Sequence, residues 1–202
     1  MDIVLEEKMK KKLEQLMEAK YKTFKKSEFN SRYSILATPS ELSYVSREQL
    51  KIYNIAKGVE HDKKLLKLFL CGDADKILNK IKKDCPKLKQ AIMLLAEEYW
   101  WTSLGWTARA EKGMKSFILD IKNIVKENSG VVNEIERLEN FIKNVRAQKK
   151  LLAGELGFDR EISRYLDIFE HYALLHDYRK EIQMKGTAAL NKFLFEAAGR
   201  YK

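Results

Sequence analysis

From Asp159 to Tyr201 the chain has no proline, and its only glycines are Gly186 and Gly199. A stretch of that length without a breaker is expected to form one long helix, capped at its start by Asp159. Apolar residues recur along it at helical spacing: Tyr165, Ile168, Tyr172, Leu175, Ile182, Ala189 and Phe193. The same stripe demands a residue near position 179, and Arg179 stands there. A guanidinium in an apolar stripe either reaches out to water or meets a partner inside. The stripe is expected to face the interior.

The rest of the chain carries the same signature. Pro39 and Pro86 are the only prolines among 202 residues, and 45% hydrophobic with 34% charged residues suits a folded, helix-rich protein. An amphipathic helix is expected over residues 2–26, with Ile3, Met9, Leu13, Leu16, Met17, Tyr21 and Phe24 on one side, and a loop over 27–37. Thr38-Pro39-Ser40-Glu41 and Ser46-Arg47-Glu48-Gln49 both read as capping boxes that open helices. Short helices are expected over about 47–57, 60–71 and 74–84, the last capped by Asp73, and another from Pro86 to about Trp101. A turn at Thr102–Trp106 then precedes helices over about 107–127 and 131–153. Gly154 and Gly157 bracket the connection to the last helix, and so short a link makes its neighbours antiparallel.

The expected fold is therefore all-α. It is a multi-helix bundle with a long C-terminal antiparallel hairpin and a cluster of short helices in the N-terminal half. Residues 1–202 read as one domain, with a subdivision at 1–105 and 106–202.

No run of about 18 apolar residues is present, and Met1–Lys12 is charged, so neither a membrane span nor a signal-peptide core is expected and the cytoplasm is the default. Cys71 and Cys85 have no metal-binding or disulfide-framework spacing and read as reduced. His61, His171 and His176 are the only histidines, and the last two, five apart, turn to different sides of a helix. Neither a GxxxxGK[ST] nor a GxGxxG phosphate loop occurs, nor a GxSxG elbow. No metal, cofactor or self-contained catalytic set is expected.

The net charge of +10 is uneven, at +4 over residues 51–100 and 0 over residues 151–202. Lys63, Lys64, Lys67, Lys76, Lys80, Lys82, Lys83, Lys87 and Lys89 form the basic centre. Such a surface attracts nucleic acid or another anion, or is simply a solvated helical surface.

Two constellations are candidates for binding. Beside Arg179, His176, Lys180, Gln183 and Thr187 follow at i, i+4, i+7 and i+11, with Tyr172 and Tyr178 adjacent. Either this strip holds an anion or an acidic partner helix, or Arg179 meets a carboxylate such as Glu134 or Glu139 on the neighbouring helix. The second is Tyr99-Trp100-Trp101 with Trp106, which either stacks a ring-shaped ligand or anchors a helix end.

A Tyr-Trp-Trp at a helix end (Tyr99, Trp100, Trp101) precedes a hairpin carrying Asp177, Tyr178, Arg179, Lys180 and Glu181, with Leu190, Phe193 and Leu194 downstream. Over about residues 90–200 this resembles the helical connector of phosphoenolpyruvate synthase-like and pyruvate phosphate dikinase-like enzymes. In those phosphotransferases such segments join an ATP-grasp part to a mobile phosphohistidine domain. The chain has neither an ATP-binding loop nor a Gly-rich Ser-His-type loop, so the phosphohistidine role is not placed on His176. The resemblance implies a non-catalytic linker or scaffold that orients a nucleotide-binding or phosphohistidine domain, in the same chain or in another. The helix end at Gly199–Lys202 is then the expected domain edge. Two alternatives stand beside it: a basic nucleic-acid-binding protein, and an anion- or phosphate-binding bundle centred on Arg179.

Overall fold

The computed structural model describes residues 3–103, 111–127 and 130–200. Among them are nine helices and no strand: α1 (Ile3–Tyr21), α2 (Lys26–Ala37), α3 (Tyr44–His61), α4 (Lys63–Cys71), α5 (Ala74–Asp84), α6 (Pro86–Tyr99), α7 (Met114–Glu127), α8 (Val131–Leu156) and α9 (Arg160–Arg200). The fold is all-α, as the breaker-poor sequence predicts. None of these helices is long and apolar enough to cross a membrane.

Local chemistry sets most boundaries. Asp73 accepts a hydrogen bond from the Lys76 amide at 2.7 Å and opens α5, and Pro86 occupies the first turn of α6. Asp159 accepts from the Ile162 amide at 2.8 Å and starts α9, which then runs unbroken for 41 residues. Gly157, at φ +63°, closes α8, with the Phe158 amide donating to the Ala153 carbonyl at 3.0 Å.

Several expected boundaries are corrected. The first helix stops at Tyr21, where Lys22 turns to φ +55°, so Phe24 lies beyond it. Residues 27–37 are helical, not a loop. Phe29, Tyr33 and Leu36 share one side at i, i+4 and i+7, a signal masked by the intervening serines and asparagine, and the Glu28 carboxylate accepts from the Lys25 amide. Thr38 ends α2 in extended conformation, and no helix opens at Pro39. The cap of α3 is Ser43, whose hydroxyl accepts from the Ser46 amide at 3.2 Å, so Ser46 is the donor and not the cap. Helix α3 runs past the expected end at 57 to His61, where Asp62 stops it and accepts from the Lys64 and Leu65 amides as the cap of α4. Helix α7 begins at Met114, and the expected start at 107–110 lies outside the described residues, as do Trp106 and most of its turn. Gly154 lies within α8.

The chain divides into two compact units. The first is Met1–Leu42 with Glu139–Arg179. There Leu13, Met17, Leu36, Leu152 and Leu156 form a small core, edged by Phe24, Phe29, Tyr33 and Leu166. Helices α8 and α9 leave the short link at 157–159 as the expected hairpin, tied by Lys149 and Glu170 at 2.9 Å. The second unit is Ser43–Leu138 with Lys180–Lys202. Its larger core draws Ile52, Ala56 and Val59 of α3, Phe69 of α4, Ile77 and Ile81 of α5, and Ile92 and Leu95 of α6 around Phe117, Ile118 and Ile121 of α7.

The expected interior stripe of α9 is the main correction. Ile168 is 43% exposed, Leu175 65%, Ile182 70% and Phe193 68%. The inward residues of the helix are instead Ile162 and Phe169 in the first unit and Ala188 in the second. Helix α9 has two apolar sides, and periodicity alone does not say which one the rest of the chain covers.

Candidate functional site

In the second unit the charge set deepest among apolar groups is Glu48, at 6% exposure. It stands on α3 at helical spacing from Ile52, Ala56 and Val59, which fixes it on the core side of that helix. A buried carboxylate needs a counter-charge, and Lys112 supplies it at 2.6 Å, with the Thr102 hydroxyl donating at 3.1 Å. The same ammonium reaches Asp120 at 2.9 Å and lies 4.5 Å from the centre of the Phe117 ring. Burial disfavours the Lys112 charge, but Glu48 and Asp120 outweigh it and raise the pKa above the ordinary lysine value. Lys112 therefore carries its charge around neutral pH.

A second chain of charges borders it. Arg47 donates to Glu181 at 2.7 Å, and Glu181 also pairs with Lys185 at 2.7 Å. Lys51 pairs with Glu98. Burial pushes Glu98 up, yet Lys51 and Tyr99 together bring it below the usual carboxylate range. Burial, and then Glu98, drives the Tyr99 phenol well above its usual value. These groups serve one another as counter-ions.

The Tyr-Trp-Trp cluster belongs to this framework. Tyr99 is 3% exposed and Trp101 is 1% exposed. The Trp101 indole donates to the Glu98 carbonyl at 2.9 Å and packs on Ala188 and on the Tyr44 ring, 5.2 Å away. Lys185 lies over its face at 5.3 Å. Of the three, only Trp100 keeps a half-exposed ring, beneath Lys192 at 5.4 Å. It lines a shallow groove with Met93, Ala96, Met114 and Lys192. Lys180 and Gln183 are exposed on α9.

In the first unit, Tyr172 and His176 are half-buried and Tyr178 is exposed, its hydroxyl 3.3 Å from Glu41. Arg179 is exposed and makes no ion pair with any described residue. Of the carboxylates weighed as its partner, Glu134 is held at 2.8 Å by Arg137, one turn along its own helix. Deeper charges of this unit are paired, with Glu170 between Lys149 at 2.9 Å and the Ser40 amide at 3.3 Å. Burial alone would raise the Glu170 pKa, but Lys149 and Ser40 lower it overall.

Sequence reasoning looked for the interior charge at Arg179 and missed Glu48 and Lys112. The rule that singled out Arg179, a charge in register with an apolar stripe, applies better to Glu48. Its stripe of isoleucine, alanine and valine is the one the fold covers. Lys112, on the connection before α7, carried no periodic signal.

Among the described residues no group of three or more His, Cys, Asp or Glu side chains converges in a metal-binding arrangement. No protein-family model, curated protein or solved structure matches the chain.

Proposed function

We propose that this chain is a non-catalytic helical scaffold, in the connector role implied by its resemblance to the helical segment of phosphoenolpyruvate synthase-like enzymes, and that it works by presenting α9 to another polypeptide. The observation that carries the reading is the outward side of α9, where Leu175, Ile182 and Phe193 are each more than 60% exposed. Large apolar side chains left in water along one side of a long helix mark a surface that another molecule covers. The deep charges support the same reading, because Lys112 bridges Glu48 and Asp120 and so holds α3 to α7.

The test is a variant with Leu175, Ile182 and Phe193 all replaced by serine. A side reserved for a partner is not needed by the chain itself, so the variant keeps its helical circular dichroism and its Tm. Unfolding of the variant contradicts the reading, and so does ATP turnover by the purified chain alone.

A second reading, binding to nucleic acid, is favoured by one observation. All nine lysines of the basic centre are exposed, and only Lys80 among them is paired, with Asp84. It predicts a low-salt mobility shift that weakens steeply as salt rises. No shift at low salt removes it.

A further inference from the structure

Residues 62–90, from the cap of α4 through the first turn of α6, carry nine lysines against four aspartates, which is half of the chain's net +10. Elsewhere surface helices pair their charges one turn apart, as Lys10 does with Glu6, Lys185 with Glu181 and Arg200 with Glu196. Here the carboxylates are committed to other work. Asp62 accepts from the Lys64 and Leu65 amides and Asp73 from the Lys76 amide, so both serve as helix caps. Asp75 pairs with Lys115 of α7, and Asp84 with Lys80. The other eight lysines are exposed and make no ion pair with a described residue.

Helix α5 aligns part of this charge. It buries Ile77, Leu78 and Ile81, while Lys76, Lys80 and Lys83 stand at i, i+4 and i+7 on the side that faces water. The row is about 10 Å long, close to three base steps of about 3.4 Å each along one strand of a duplex. Residue types narrow the partner. Residues 62–90 contain no arginine, and their one aromatic ring, Phe69, is 0% exposed. Without an exposed ring there is nothing on which unpaired bases stack, and stacking is what single-strand binding uses. With no guanidinium fork, the surface offers phosphate point charges only, and phosphate contacts carry no sequence information. Every exposed residue of α5 is Asp, Asn or Lys, so the helix has no apolar side chain to enter a lipid surface. We infer that the lysines of α4, α5 and the first turn of α6 hold the phosphate backbone of a nucleic-acid duplex without regard to base sequence. The inference rests on the nucleic-acid reading above and names the form of nucleic acid bound.

The experiment uses the full chain and three fluorescent probes: two DNA duplexes of about 24 base pairs with unrelated sequences, and a thymidine single strand of the same length. Binding is read by anisotropy across a salt series, and binding to phosphatidylserine vesicles by co-sedimentation. Both duplexes are expected to bind within about twofold of each other, and about tenfold or more tightly than the single strand. Lys76→Ala with Lys83→Ala is expected to weaken duplex binding about tenfold or more and to lower the salt slope by about 1 per lysine, with circular dichroism unchanged. Lys143→Ala with Lys150→Ala removes the same charge from α8, where both lysines are exposed, and is expected to change affinity by less than about threefold. Single-strand binding as tight as duplex binding overturns the inference and leaves the nucleic-acid reading standing, as does a preference of about tenfold or more between the duplexes. An equal loss in the α8 variant also overturns it, because total charge is then responsible. If no nucleic acid binds at low salt, both fall, and binding to the vesicles alone assigns the surface to a membrane.

Discussion

Helix α9 shows the same residue types in two situations. On its inward side Ile162, Phe169 and Ala188 are at most 2% exposed; on its outward side Ile168, Leu175, Ile182 and Phe193 range from 43% to 70%. Hydrophobicity does not separate the two sets. What separates them is whether the rest of the chain supplies a wall. In the second unit Trp101 and Tyr44 supply it for Ala188, and in the first unit Leu166 of the same helix joins the core of α1, α2 and α8. Nothing among the described residues encloses the outward stripe. A helix with apolar residues on both sides thus has one side that its own fold covers and one that it leaves in water.

The widest separation between the sides is expected in stability. Phe169→Ala empties a fully packed position and is expected to cost about 3–5 kcal/mol in denaturant unfolding. Ile182→Ser, on the outward side, is expected to stay within about 0.5 kcal/mol. Comparable losses for the two would mean that the outward side is part of the chain's own core.

A smaller effect separates paired from unpaired charge. Lys112→Met leaves Glu48 buried without its cation and is expected to cost about 3 kcal/mol. Adding Glu48→Leu removes the stranded carboxylate and is expected to recover most of the loss, since an apolar pair of similar volume often replaces a buried ion pair without penalty. A double variant as unstable as the single one would show that the bond to Thr102, and not charge pairing, makes Glu48 necessary.

The edge of the inward side responds to acid. Glu170, beside Phe169, has its pKa held below the ordinary value of 4.5 by Lys149 and Ser40 against the effect of burial. A carboxylate lowered in the folded state contributes stability that is complete above its unfolded pKa and is lost as pH falls through the folded one. Glu170→Gln is therefore expected to be less stable than the parent at pH 7 and nearly equal to it near pH 3. Denaturant unfolding at the two pH values checks this. A gap that stays constant would assign the effect to packing.

The smallest expected change is at Arg179→Ala. An exposed guanidinium with no ion pair to a described residue is expected to contribute within about 0.5 kcal/mol, read by thermal unfolding. A larger loss would put Arg179 in the framework of the fold.

Much of the architecture was readable from residue order, because breakers and caps act locally. Asp73, Pro86, Gly157 and Asp159 each mark a boundary through their own backbone chemistry. Thr38-Pro39-Ser40-Glu41 misled because an extended Thr38 before proline suits a helix start and a plain link alike, and the helix opens instead at the Ser43 cap. The orientation of α9 was not readable, since it depends on which distant segments reach the helix. Arg179 was a clue to it. A charge in the middle of an apolar stripe is cheap when the stripe faces water. Glu48 shows the opposite case, a charge in a covered stripe that needed Lys112 from far along the chain.

Thiol labelling tests the two-sided account of α9 most directly. In a Cys71→Ser, Cys85→Ser background, single cysteines at Ile182, Phe193 and Ala188 are reacted with a maleimide under native conditions. The account predicts that the cysteines at 182 and 193 label within about tenfold of the unfolded rate, while that at 188 is slowed about a hundredfold or more and reacts only through local opening. Protection at 182 and 193 equal to that at 188 would contradict it.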